Sequence, residues 1–178
     1  AGVAKGTMYL YFENKDELYM ALLEYRARLW AASAIEALKS RRAPLGIEDV
    51  VDAISGHIFE HHEVLILGTI ANSSMEVDID RDDELTFRAG LAELMRQVGE
   101  ALEKSLPGLK PGMGATMFMR SLAYILGIWQ LIAPDPAMEV IRERAELAPF
   151  RLEFEREVKA GLTALWAGTI TAVAATRS

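Results

Sequence analysis

Four side chains able to donate hydrogen bonds, Lys5, Thr7, Tyr9 and Tyr11, crowd into the opening segment AGVAKGTMYLYFENKDEL, with Lys15 a few positions on. Ammonium, hydroxyl and phenol groups at this density suit phosphate oxygens and base edges, and Gly6 among them lets a backbone come close to a nucleic acid. The AGV before them is the kind of short glycine-containing turn that joins two helices of a helix-turn-helix, so the next helix would lie in a DNA major groove. Val3, Met8, Phe12 and Leu18 supply the apolar contacts such a short helix needs. Lys15 adds its charge to the positive end of the helix that follows, where a phosphate would bind.

Other residues with chemical capacity form weaker patterns. His57 and His61 stand four apart on one helical face with Glu60 and Glu63 nearby, a spacing that chelates metals. Ile58 occupies the position where the H-E-x-x-H motif needs glutamate, so no metal site is assigned. Asp78, Asp80 and Asp82 alternate as in a calcium loop, but Asp83 and Ala89 stand where that loop requires glycine and glutamate. There is no cysteine, no glycine-rich phosphate loop and no G-x-S-x-G elbow. The pattern therefore argues against an enzyme and implies no cofactor.

The elements that would position these groups read as helices. Asn14 followed by Glu17 has the form of a capping box, so a helix starts near Lys15, with Leu18, Leu22, Tyr25, Leu29 and Ala32 as its apolar stripe. Pro44 and Gly46 in KSRRAPLG end it. Further helices are expected from about Glu48 to His61, from Val64 to Met75, through Leu91, Met95, Val98 and Leu102, across Met113 to Ala133, and through Phe150, Phe154, Val158, Leu162 and Leu165. The acidic stretch EVDIDRDDE, Glu76 to Glu84, reads as a solvated break. No alternating strand pattern appears, and the class is all-α. Residues 1–40 form one unit and 41–178 a second, larger one.

The opening segment resembles the signature of the tetracycline-repressor (TetR) family, A-G-V-S-K-G-T-L-Y-x-Y-F-x-S-K-E-E-L, with turn, recognition helix, aromatic pair and next helix start all in register. That resemblance implies an all-helical, homodimeric, cytoplasmic transcription regulator. A partial N-terminal helix-turn-helix would precede a C-terminal bundle that binds a small-molecule effector and dimerises. It also implies a first helix and most of a second before Ala1. Base reading would fall on Lys5, Gly6, Thr7 and Leu10, and phosphate contacts on Tyr9, Tyr11 and Lys15. Ala4 stands where the family has serine, whose hydroxyl can cap a helix and bond a phosphate. Operator DNA is the implied partner and repression the implied action. The alternative is a helical small-molecule-binding or interaction module without DNA binding.

Large or adaptable apolar side chains between Val50 and Trp129 suggest an apolar effector pocket. Phe59, Ile66, Phe87, Met95, Met117, Tyr124 and Trp129 are its candidates, with His62, Arg88 and Arg120 as polar anchors. Each arginine calls for an anionic partner, either an internal carboxylate or a ligand's carboxylate or phosphate. The same residues would also serve as an ordinary core. For dimerisation the sequence offers Phe154, Val158, Gly161, Leu165 and Gly168 on the last helix, beside the apolar Met113 helix. That helix has the length of a membrane span, but Arg120 near its middle makes a buried bundle helix the expected reading. A formal charge of -7 excludes a chain that is basic throughout.

Overall fold

The computed structural model describes residues 14–42, 44–74, 81–132 and 144–175. Lys5, Gly6, Thr7, Tyr9, Leu10 and Tyr11 lie outside the described residues. Helix α1 spans Lys15–Ser40, and its start follows from two side chains. Backbone N–H groups of Asp16 and Glu17 donate to Asn14 Oδ1 at 2.9 Å each, while Asn14 Nδ2 donates to Glu17 Oε1 at 3.1 Å. The pair satisfies donors that a helix's first turn leaves open. The connection after α1 is tied down by Leu45 N, which donates to Ser105 O at 2.9 Å.

Helices α2 (Ile47–Glu60), α3 (Glu63–Ser74), α4 (Arg81–Ser105), α5 (Met113–Ile132) and α6 (Phe154–Ala175) follow, with a 3-10 segment at Ala145–Phe150. Two boundaries differ from the sequence reading. Phe150 belongs to the 3-10 segment and not to the last long helix. The acidic stretch is not a break to its end, because Asp82, Asp83 and Glu84 form the first turn of α4, where carboxylates meet the positive end of the helix dipole.

Helix α1 packs on α2, α3 and α4; α5 packs on α3, α4 and α6; and α6 closes back on α2. Trp30, Leu38, Ile54, Ile58, Leu65, Val98, Leu102, Met117, Ile125, Leu162 and Trp166 form the buried core between them. Such side chains contribute about 1.5–3 kcal/mol each when fully buried. Its buried hydroxyls are satisfied. Ser55 Oγ donates to Val51 O at 2.7 Å, and Ser121 Oγ donates to Met117 O at 2.8 Å while accepting from Trp166 Nε1 at 3.0 Å.

The expected stripe of α1 faces the wrong way. Leu22, Tyr25 and Leu29 are 40%, 56% and 36% exposed, while Met20, Leu23, Trp30, Ala31, Ala34 and Leu38 face the core. Helix α1 carries apolar residues at helical spacing on two opposite faces. The face with the small residues Ala31 and Ala34 wins because it lets neighbouring helices approach closely.

Helices α4 and α5 form an antiparallel hairpin, turned by Gly108 and Gly112 at φ of 100° and 85°, conformations that cost glycine little. They then cross backbone to backbone. A Cβ on Gly99 would run into the main chain of Ala115, and one on Gly114 into the main chain of Gly99. Gly114 N also donates to Glu103 Oε1 at 2.8 Å, placing a carboxylate at the start of α5. By length and composition α5 and α6 could each span a membrane. Arg120 sits mid-helix in α5, and its buried residues Met117, Ser121, Ile125 and Trp129 belong to the bundle.

Gly99→Ala is therefore expected to destabilise by about 1–3 kcal/mol, because overpacking outweighs the helix-propensity gain of roughly 1 kcal/mol. In a thermal melt that lowers Tm by about 2–4 °C per kcal/mol. Gly56→Ala in α2, where nothing lies within 4 Å of an added Cβ, is expected to raise Tm instead.

Candidate functional site

Away from the Gly99 and Gly114 crossing, α4 and α5 diverge, and the space between them is roofed by α1 and α3 around a cavity of about 720 Å³. Leu23, Ala27, Trp30 and Ala31 come from α1; Val64, Gly68 and Ala71 from α3; Glu84, Phe87, Arg88, Leu91, Leu94 and Met95 from α4. Helix α5 supplies Phe118, Met119, Leu122, Ala123, Leu126, Gly127 and Gln130. The volume comes from small residues stacked one turn apart: Ala27 and Ala31, Gly68 and Ala71, Ala123 and Gly127. An added Cβ on Gly127 would meet nothing within 4 Å.

The floor is held rigidly. Trp30 Nε1 donates to Ile54 O at 2.7 Å, and its ring lies 5.1 Å from that of Phe118. This fixes one wall of the cavity to α2 and the next to α5. At the open end of α4, Arg88 Nε and Nη2 donate to Glu84 Oε1 at 2.9 and 2.7 Å. The anionic partner that Arg88 calls for is thus an internal carboxylate one turn away.

Of the sequence candidates for the pocket, the structure gathers Phe87, Arg88 and Met95 at the cavity. The others go elsewhere. Phe59, His62 and Trp129 join Phe154 in an aromatic cluster, with ring centroids 5.0 Å apart for His62 and Trp129 and 5.3 Å for Trp129 and Phe154. Ile66 is exposed on α3. Met117 faces α6, its sulfur accepting from Thr169 Oγ1 at 3.3 Å. Tyr124 covers Gly161 and donates to Glu157 O at 3.2 Å; burial first, then the charge of Glu157, pushes its phenol pKa up. Arg120 borders a shallow surface concavity between α5 and α6, with Leu165, Gly168 and Ala172. The α1 wall is not among the sequence candidates because it lies opposite the expected stripe of that helix, and the small residues are not because their contribution is space rather than chemistry.

The α6 candidates also divide. Val158 is 0% exposed within the single chain, Phe154 is held in the aromatic cluster, and Gly161 lies under Tyr124. Leu165 and Gly168 line the open concavity, and an added Cβ on Gly168 would meet nothing within 4 Å. A charge at Val158 would therefore break this chain's own core rather than dissociate a dimer.

Residues 24–173 match the family described as tetracyclin repressor-like, C-terminal domain. The chain belongs to that family. The matched region runs from within α1 to near the end of α6, so it contains every lining residue of the cavity except Leu23. No curated protein matches the sequence. In this TetR-like domain, the rings of His57 and His61 lie 4.6 Å apart, tilted at 43° to each other, and neither lines the cavity. Among the described residues no group of three or more His, Asp or Glu side chains is placed to hold a metal ion.

Burial, and then the neighbouring His61, pushes the pKa of His57 down, against smaller upward effects of Glu60 and Glu63 and a downward one of Arg26. The folded state thus takes up this proton later than the unfolded state does. Its share of the stability is present above the ordinary histidine value of about 6.5 and is lost as pH falls below it. His57→Gln is expected to flatten the fall in urea-unfolding stability between about pH 7 and pH 5. An unchanged slope would show that His57 takes no part in it.

Proposed function

We propose that the chain is a ligand-responsive, DNA-binding transcription regulator, a repressor released from its operator by a small, largely apolar effector bound in the α1, α3, α4 and α5 cavity. One observation carries this reading. Helix α1, which supplies Leu23, Ala27, Trp30 and Ala31 to the cavity wall, is also the helix that follows directly on the turn-and-recognition segment. A ligand touching α1 thereby acts on the element that positions Lys5, Gly6, Thr7, Tyr9, Leu10, Tyr11 and Lys15. In the proposed division, residues 1–40 are the DNA-binding unit with its connecting helix, and 41–178 the effector and dimer unit. To weaken DNA binding a hundredfold, the effector must favour the non-binding state by about 2.7 kcal/mol. A difference of roughly 110 Å² in the apolar ligand surface buried in the two states supplies that much.

Dimerisation is proposed on α5 and α6. Only 33% and 17% of their apolar stretches are buried inside one chain, and the uncovered surface includes Leu131, Met119, Leu165 and Gly168. A two-fold pairing of these helices would cover that surface and set two recognition helices one DNA turn apart, roughly 34 Å. Such a regulator acts on DNA in the cytoplasm and needs no catalytic group.

A ligand-binding module without DNA contact is favoured by one fact. Through Arg28 the chain balances Lys5, Lys15, Arg26 and Arg28 against Glu13, Asp16, Glu17 and Glu24, a net charge of zero. DNA affinity then has to come from pointed contacts rather than a basic field.

Two substitutions in the complete protein separate the readings, with DNA selected from a random pool. Thr7→Ala is expected to relax base preference, and Lys15→Ala to weaken binding to all sequences alike and lower the salt slope by about one. Unchanged binding in both would remove the repressor reading. Gly168→Glu, at an open surface position, is expected to leave the chain folded and shift sedimentation from dimer to monomer. A dimer that survives it with unchanged affinity would place the interface elsewhere.

A further inference from the structure

Resting on the reading of the cavity as the effector site, we infer that it selects uncharged, hydrocarbon-rich molecules and turns away anions of the same carbon skeleton. Among the described residues its inner walls offer no free hydrogen-bonding side chain. Trp30 has the only polar side-chain atom among the inner residues, and its N–H is committed to Ile54 O at 2.7 Å. The polar lining residues are Glu84, Arg88 and Gln130. Glu84 and Arg88 sit on the first turns of α4, and Gln130 on the last turn of α5, so all three lie at the end where the two helices have diverged.

At that end Arg88 is the lining cation among the described residues, and it already gives two of its five N–H groups to one oxygen of Glu84, which balances its charge. The arginines of α1 nearest the cavity are matched too, Arg28 with Glu24 and Arg26 with Glu63. Arg81, at the start of α4, does not line the cavity and is followed by Asp82, Asp83 and Glu84. The rim therefore offers an incoming carboxylate or phosphate no uncompensated positive charge, and a charge carried further in would enter a wall that cannot solvate it. A neutral alcohol, ester or aryl compound meets neither penalty. Gln130 can accept from or donate to one uncharged polar head group at the mouth, and the Glu84 carboxylate can accept from it.

A matched pair of ligands tests this on the intact protein. Nile red, an uncharged dye, is bound and then displaced with 1-decanol or with decanoate at pH 8, each below its aggregation threshold. Decanol is expected to displace the dye at a concentration at least about tenfold lower. Glu84→Gln frees Arg88, so decanoate should gain at least about threefold relative to decanol. Decanoate within threefold of decanol on the unaltered protein, or no gain for it relative to decanol in Glu84→Gln, overturns the inference. Gly127→Leu fills the cavity and reports on the underlying reading. If it abolishes displacement by both ligands, the cavity is the site, and the decanol and decanoate comparison decides selectivity alone. If dye binding and displacement are the same in Gly127→Leu as in the unaltered protein, the ligands bind elsewhere and both the effector site and its selectivity fall.

Discussion

The backbone crossing of α4 and α5 at Gly99 and Gly114 is the constraint on which the rest of the molecule depends. With no side chain between them, two long helices are pinned together near one end by main-chain contact, and Glu103 holds the start of α5 at the same place. Helices pinned at one end and diverging toward the other must leave a wedge of space. The side chains on its inner faces decide whether that wedge is packed shut or kept open. Here Ala123 and Gly127 on one arm keep it open, and α1 and α3 close it from above.

Trp30 links this wedge to the remaining core. Its indole reaches α2 through the Ile54 carbonyl and α5 through the ring of Phe118. On the N-terminal side of Trp30, Leu23 and Ala27 line the cavity and Met20 is buried, while the outward face, with Leu22 and Tyr25, is exposed. One face of α1 therefore meets the cavity and the bundle and the other is open to solvent, so a molecule in the cavity presses on a helix held from one side.

Much of the architecture was legible in the sequence because it is written in local chemistry. Asn14 with Glu17 specifies a helix start, and Pro44 and Gly46 an end. The cavity was only partly legible. Phe87, Arg88 and Met95 stood out as large or charged groups on one helix, but Phe59, His62 and Trp129 are equally prominent and pack with each other and Phe154. Periodicity says that residues share a face, not which neighbour the face meets. In α1, with two apolar faces, that ambiguity hid the wall containing Trp30. Val158 reads like an interface residue for the same reason, since a side chain covered by its own chain and one covered by a partner obey the same pattern.

The small residues around the wedge have a consequence for how such a protein changes over generations. Ala123 and Gly127 line the chamber, and an added Cβ on Gly127 would meet nothing within 4 Å, whereas Ile54, Leu102 and Trp166 are buried away from it. Swapping an alanine for valine, or a glycine for alanine, reshapes the chamber one methyl group at a time while leaving the packed interior untouched. Descendants of this chain can therefore drift toward new chemical signals by single steps, each folded and testable by selection, without first surviving an unstable intermediate.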